Sequence, residues 1–566
     1  MSRRRAVGKG SAALRRRLAV IAALGVLGYG ALVARAVQLQ TLDAEALAAR
    51  AEAQHRATLS LGVLRGEIAD RSGDLLAKSA TVHSVAASPR RIRDPRRAAL
   101  QLARALDLSS AAIRKRLETD RSFVWIRRWV TPAQVEQVRK LEIAGVRLVP
   151  ERKRFYPNGE LAAPYLGFAG RDDIGLSGLE LAFEQALRRS PQRIDALRDE
   201  RGNKLVLRPS ALPGQRSPRL VLALDAQLQH FAERALDRAL ERTRARHGTL
   251  VALDPYTGDL LALAERPAFN PNRFWDARPS DYRARGFVDP FEPGSTLKPF
   301  VIAAALEAGA VRAGDQFNCE NGSWRVRDRT IRDAKPHGVL SVHNILRVSS
   351  NIGAAKIADR LGSSALTDGL RTQGFGSPSG SGFPGEASGV VRGIRENQAV
   401  ERANLAFGQG MTATAVQLAA AGATLANGGR RVWPRMALRL EADGSRLDWP
   451  SGLGERILSD RTAGLVIEMM IDAVKSGTGR AAALSGYPVA GKTGTAQKVI
   501  DGRYSNERYV SSFLGIVPAR RPRLVIAIIL DEPRGVRAGG AVAAPVFREV
   551  ASFAIGRMGL AGGGAE

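Results

Sequence analysis

The sequence predicts an α+β protein in three parts: a single N-terminal transmembrane helix, an elongated module without catalytic groups, and a C-terminal domain whose β-sheet packs between helices. Three observations carry this expectation. An uncharged apolar run over 18–34 follows Arg3, Arg4, Arg5, Lys9, Arg15, Arg16 and Arg17, and it reaches the short end of the length needed to cross a bilayer. Over 65–187, strand-like and helix-like segments follow one another, but no nucleophile, base and orienter converge. Beyond 217, strand-like runs stand at both ends of the segment and a mostly helical stretch, 295–428, fills its middle, the pattern of an α+β domain closed by its own two ends.

Composition narrows the function classes. Of 566 residues, 45% are hydrophobic and 25% charged, which excludes disorder for most of the chain. The formal net charge of +30 would suit a nucleic-acid binder, but the basic residues are mostly arginine and are spread along the chain instead of clustered beside stacking aromatics. No nucleic acid is therefore expected, and a basic surface facing anionic lipid or an acidic polymer is. The single cysteine, Cys319, has no internal disulfide partner, and the six histidines stand at no metal-ligand spacing, so neither a metal nor a cofactor is expected.

Taken in order, 1–17 reads as a basic cytoplasmic tail and 18–37 as the transmembrane helix, because a basic flank stays on the cytoplasmic side and sends the rest outward. A cleaved signal peptide competes with this reading, since Ala34-Arg35-Ala36 loosely resembles a cleavage site. The apolar run is longer than a usual signal core, however, and continues into a helical pattern through Leu39, Leu42, Leu47 and Ala48. Residues 38–216 form the non-catalytic module. It begins with a hairpin over 65–77 turning at Ser72-Gly73, followed by short amphipathic helices over 95–120 and 131–141. The turn-rich Arg154-Phe155-Tyr156-Pro157-Asn158-Gly159 and a helix from Gly178-Leu179-Glu180 to about Leu187 complete it. Mixed charge, Gly and Pro over 201–204 and 209–218 mark its boundary.

The C-terminal domain, 217–560, opens with a strand at 220–224, a long helix over 225–246 and strands at 248–253 and 259–264 joined by Asp254-Pro255-Tyr256-Thr257-Gly258. Apolar runs at 510–517 and 524–530 fit two central strands. A turn at Gly539-Gly540 and Pro545 leads into a last helix, 546–558, whose apolar face is expected to pack on the sheet. Residues 561–566 read as a flexible tail.

The chemistry concentrates at Glu292-Pro293-Gly294-Ser295-Thr296-Leu297-Lys298-Pro299-Phe300. Pro293-Gly294 signals a turn, the run from Thr296 to Glu307 is helical in composition, and residues three apart share a helix face, so Ser295 Oγ and Lys298 Nζ are expected to meet. A serine hydroxyl attacks only when a neighbouring base takes its proton, and lysine serves as that base only with a lowered pKa. The helix N-terminus supplies part of the required positive field. Alone, Ser-x-x-Lys is weak, with about one chance match in a chain this long. It is followed, however, by Ser349-Ser350-Asn351 between two helix-like runs and by Lys492-Thr493-Gly494-Thr495 in a strand. An N-capping serine at the middle motif is compatible with a catalytic one. Gly494 leaves that strand bare enough for another backbone to approach, as an edge that could add a substrate peptide.

That ordered set resembles the signature of the penicillin-binding proteins and class A β-lactamases. Arg65 to Ala77, Arg154 to Gly159, Gly178-Leu179-Glu180, Asp225-Ala226-Gln227-Leu228-Gln229, Phe407-Gly408-Gln409-Gly410 and the two catalytic frames extend the resemblance over nearly the whole chain. It points to the class B penicillin-binding proteins, and within them to the division-specific D-Ala-D-Ala transpeptidases of Gram-negative bacteria. The resemblance implies a penicillin-binding transpeptidase domain with an all-helical subdomain, preceded by a pedestal module of the dimerisation type. It also implies Ser295 as the acylated nucleophile, Lys298 as its base, and Ser349 and Asn351 as proton relay and substrate holder. Lys492 would face the substrate's terminal carboxylate beside Thr493, Gly494 and Thr495, with the backbone N–H groups of Ser295 and Thr495 as oxyanion hole. The implied partners are peptidoglycan stem peptides, lipid-linked precursor, β-lactams, a membrane glycan polymerase of the SEDS type, other division proteins and the inner membrane.

Rival readings share parts of this signature. A β-lactamase needs a deacylating water and normally no anchored two-domain architecture. A carboxypeptidase resolves the same acyl-enzyme with water. A non-catalytic sensor would not need all three motifs intact. The elongation-specific relative is separated by resemblance at Asp501-Gly502-Arg503-Tyr504, Asp531-Glu532-Pro533 and the frame from Gly539 to Phe547, and by the compact length.

Overall fold

The computed structural model describes residues 8–61, 64–188, 192–198, 204–206 and 217–560. The expected flexible tail at 561–566, the start of the basic tail and most of the expected boundary at 201–218 lie outside the described residues. Two compact units result, one of 1–63 with 190–215 and the other of 64–189 with 216–566.

In the first unit an α-helix, Gly8–Val37, runs through a π-turn at Gln38–Leu42 into a second helix, Ala44–His55. The candidate span Leu14–Leu42 has a mean hydropathy of 1.9, and its large apolar side chains, from Leu18 to Leu32, are exposed. Among the described residues no protein covers this stretch, and an exposed apolar helix of this length suits a bilayer. A three-stranded antiparallel sheet, Arg56–Leu61, Gln192–Arg198 and Lys204–Val206, completes this unit.

Among the described residues the second unit holds two large sheets and three two-stranded ones. In the larger, seven-stranded one, the expected hairpin forms from Glu67–Ala69 and Leu75–Ala87. Leu75–Ala87 also pairs with Val124–Val130 and Val146–Phe155. On its other side Glu67–Ala69 runs parallel to Arg219–Leu222, which continues into Ala437–Ala442. The stretch 95–120, expected as helix, is two helices, Pro95–Leu106 and Ser110–Leu117, broken where Asp107 takes a left-handed conformation. The helix expected from Gly178 likewise breaks at Phe183.

Three sequence frames of this module meet in one buried cluster. Arg65 Nε donates to Glu180 Oε2 and Arg154 Nε to Glu180 Oε1, each at 2.6 Å, and Tyr156 OH donates to Glu180 Oε1 at 3.1 Å. Burial alone would raise the Glu180 carboxyl; the two guanidinia outweigh it and leave the pKa below the ordinary value. Segments distant in sequence are thereby tied by a group whose removal would leave buried Arg154 without its carboxylate and Arg65 with Glu184 alone.

The smaller sheet is antiparallel, in the order Leu260–Arg266, His247–Leu253, Leu524–Asp531, Arg503–Val517, Ala490–Ile500. Helices cover both of its faces. On one side, Ala226–Thr243 and Ala544–Arg557 lie together, with Phe231 stacked on Phe553 at 4.2 Å. Asp225 caps the first of these helices, and Gln229 is fully buried, exchanging two 2.8 Å bonds with the Leu263 backbone. On the other side lies Ala415–Ala426, buried along its whole length, with the helical subdomain around it. The strand Ala490–Ile500 is left at the edge of the sheet.

Candidate active site

The nucleophile turn is built from backbone needs before side-chain chemistry. Gly294 adopts a left-handed conformation, and its N–H donates to Gly408 O at 3.1 Å. A side chain at Gly408 would run into the Gly294 carbonyl, so the Phe407-Gly408-Gln409-Gly410 frame serves this turn. The chain then makes a 3₁₀ turn, Gly294–Leu297, and the α-helix begins at Lys298 and ends at Glu307. Pro299 sits in its first turn, where a missing N–H costs nothing.

This tighter start alters the expected pairing. Lys298 Nζ donates to Ser349 O at 2.6 Å and to Asn351 Oδ1 at 2.7 Å, and stands 3.3 Å from Ser349 Oγ. Its hydrogen bonds go to the middle motif and not to Ser295 Oγ, and Ser295 is half-buried. Lys492 Nζ donates to the same Ser349 Oγ at 2.9 Å and to Thr493 O at 3.1 Å. Ser349 Oγ therefore stands between two lysine amines.

Both lysines are fully buried. Burial, then the charge of Lys492, hold Lys298 well below the usual lysine range against the opposing pull of Asp333. Burial brings Lys492 down to about 7. A buried amine of this kind is a proton acceptor near neutral pH, which an exposed lysine is not.

The middle motif is held by strain and capping. Ser349 closes the helix Val342–Val348 in a left-handed conformation, φ +68°, an unfavourable state for a residue with a side chain that persists only when its surroundings impose it. Ser350, as the compatible reading allowed, caps the helix Asn351–Leu361 through Gly353 N–H. Asn351 Nδ2 donates to Arg332 O at 2.9 Å, so its amide is clamped on both sides.

Asp333, absent from the sequence-based site, organises this loop. It accepts from Ser350 Oγ at 2.6 Å, Asn351 N at 2.5 Å and Ile352 N at 3.1 Å. It is carried by two small hairpins inserted in the expected helical middle, Gln316–Asn318 with Val339–Ser341 and Ser323–Val326 with Arg329–Arg332. Strands this short and polar leave no periodic signal. Glu292 was also missed as a side chain: its Oε1 accepts from Gly410 N at 2.9 Å and Tyr504 OH at 3.2 Å. Thr478 was missed too, its hydroxyl 2.9 Å from that of Thr493.

Lys492, Thr493, Gly494 and Thr495 lie on the edge strand. A side chain on Gly494 would meet Ser512 Oγ and come within 2.8 Å of the Pro293 carbonyl. The backbone that approaches this glycine is thus the protein's own nucleophile turn. Thr495 Oγ1 accepts from Gly539 N–H at 3.1 Å, and Gly539-Gly540 opens a short helical turn, Gly539–Val542, instead of a bare turn. Among the described residues no His, Cys, Asp or Glu group suits a metal ion.

Comparison with known proteins identifies both domains. Residues 248–552 match the penicillin binding protein transpeptidase domain, and 60–216 match the penicillin-binding protein dimerisation domain. A probable peptidoglycan D,D-transpeptidase PenA of Neisseria gonorrhoeae is 34% identical over 96% of this chain and 92% of its own. The peptidoglycan D,D-transpeptidase FtsI of Escherichia coli K12 is 33% identical over 94% of this chain and 90% of its own. Among solved structures, penicillin binding protein 3 of Mycobacterium tuberculosis, complexed with ampicillin, is 28% identical with a TM-score of 0.69, covering 90% of this chain and 98% of that one. Its aztreonam complex superposes with a TM-score of 0.68, covering 89% and 98%.

Proposed function

The chain belongs to the penicillin-binding-protein transpeptidases, and from that premise we propose that it cross-links peptidoglycan stem peptides through an acyl-enzyme on Ser295. The observation that carries this is Ser349 Oγ between two buried amines beside the nucleophile turn. Ser295 Oγ attacks the carbonyl between the two D-alanines, and Lys298 Nζ takes its proton. The backbone N–H groups of Ser295 and Thr495 receive the developing oxyanion, a contribution on the order of 3 kcal/mol per donor. The proton passes by way of Ser349 Oγ to the nitrogen of the leaving D-alanine as the peptide bond breaks. Asn351 holds the substrate amide, and Lys492, with Thr493 and Thr495, faces the terminal carboxylate. An amine of a second stem peptide then attacks the ester carbonyl, gives up a proton and releases Ser295. A β-lactam acylates the same hydroxyl, and its leaving nitrogen stays tethered.

Residues 217–560 form the catalytic domain and 38–216 the pedestal in this reading, with the 18–37 helix anchoring both in the inner membrane. The basic flank supports a cytoplasmic N-terminus and a periplasmic catalytic domain. The likeness to FtsI supports a septal role, alongside a membrane glycan polymerase of the SEDS type and other division proteins. Labelling the full-length protein with a fluorescent penicillin and mapping the modified peptide tests the site. The adduct is expected on Ser295, and an adduct elsewhere overturns the assignment.

A further inference from the structure

Away from the nucleophile, at the end of the smaller sheet, a groove of about 640 Å³ is lined by Arg244, Arg246, Arg508, Arg534 and Arg537 with Glu507 and Glu532. Arg508 stands 3.9 Å from Glu532, which also takes a 2.7 Å bond from Lys498. Arg537 gives one N–H to Asn506 O at 2.9 Å and lies over the Tyr509 ring. Among the described residues, the guanidinium groups of Arg244, Arg246 and Arg534 have no hydrogen-bond or ion-pair partner, while their backbones are fixed. Arg244 caps the helix Ala226–Thr243, Arg246 N–H donates to Asp531 O, and Arg534 N–H donates to Thr243 O. Three forked cations are therefore presented on ordered backbone without a carboxylate of the protein to satisfy them.

One wall of the groove leads to the catalytic strand. Ser511 Oγ donates to the Arg537 carbonyl, and two residues later Gly539 N–H donates to Thr495 Oγ1. Whatever binds along this loop is tied to the strand that carries Lys492. We propose that this groove is a docking subsite for a carboxylate-terminated peptidoglycan stem peptide other than the one being acylated.

The chemistry follows from the transpeptidation reading, on which this inference rests. A stem peptide awaiting cross-linking brings a terminal carboxylate and an amine. Guanidinium forks take carboxylates in two parallel hydrogen bonds, and Glu507 gives a lining of mixed sign, which suits a peptide bearing both charges better than a dense polyphosphate. An arrangement on the domain's own surface retains a neighbouring strand of the polymer through the two chemical steps and raises its local concentration.

The test uses full-length protein in detergent and isolated peptidoglycan sacculi, untreated or with their carboxyl groups amidated. Retention is expected on untreated sacculi and weaker on amidated ones. Arg244→Gln with Arg534→Gln is expected to weaken retention about fivefold, the loss of two exposed charge-assisted contacts. Arg392→Gln with Arg521→Gln, a control pair of exposed arginines elsewhere, leaves retention unchanged. Penicillin labelling is expected to be unaltered in both double variants. That labelling reports folding and the acylation site independently, so its loss in the wild type would strike the transpeptidase reading and not the groove. Equal retention on amidated sacculi, equal weakening by both double variants, or release by anionic lipid vesicles but not by carboxylate-terminated peptide overturns the proposal.

Discussion

At the scale of single residues, the chemistry turns on the protonation of buried amines. Ser295→Ala is expected to abolish penicillin labelling, and Lys298→Ala to leave reversible binding while slowing acylation by several orders of magnitude, since a base working as a unit with its nucleophile is not replaced additively. Lys298 accepts a proton only when neutral, so the acylation rate rises with pH on its acidic limb. Burial first and the charge of Lys492 second lower that pKa; removing the charge with Lys492→Gln raises it. The limb is then displaced to higher pH, measured as the second-order rate of penicillin acylation across the pH range. A limb that stays in place, or moves to lower pH, would count against the coupling. Asp333→Asn tests a positioning residue. Acylation is expected to fall about tenfold or more with one charge-assisted clamp lost, while Tm changes little. Ser295, Lys298, Ser349, Asn351 and Lys492 were legible because their spacing is a signature, and the structure brings the last four into one hydrogen-bonded set. Asp333 was not legible, because an aspartate in a polar hairpin carries no pattern and acquires its role only when the loop folds back on it.

At the scale of elements, close approach of backbones sets the site. Gly494→Ala places a methyl against Ser512 Oγ and the Pro293 carbonyl, and overpacking of this kind costs about 1–3 kcal/mol. A lower Tm together with slower acylation is expected; unchanged acylation would show that the turn and the edge strand need not touch. In the pedestal, Glu180→Gln leaves Arg65 and Arg154 without their shared carboxylate. A loss of about 3–5 kcal/mol in stability is expected from denaturant unfolding. A long helix and continuous apolar strands were readable: the helix expected over 225–246 forms as Ala226–Thr243, and the apolar runs at 510–517 and 524–530 lie in strands of the smaller sheet. Breaks that depend on one left-handed residue, such as Asp107, were not, because the glycine or asparagine that usually marks that state is missing from 105–110. The 3₁₀ start at Gly294 was hidden for a similar reason, since its composition reads as helix and only packing against Gly408 tightens it.

At the scale of the whole molecule, the proposed topology puts the catalytic domain outside the cytoplasm, on the strength of the apolar helix and its basic flank. A reporter fused after Glu566 is expected to be active only if it is of the exported kind; activity of a cytoplasm-only reporter there contradicts the orientation. Depletion in the native host is expected to give filaments with continued side-wall growth, whereas round, swollen cells would assign the protein to elongation. Acyl transfer from Ser295 to an amine is measured on the full-length protein with a membrane glycan polymerase and lipid-linked precursor, resolving the peptide products. The account predicts cross-linked dimers with release of D-alanine, both lost in Ser295→Ala and after penicillin treatment. Trimmed peptides without cross-links would contradict it and leave water as the acceptor.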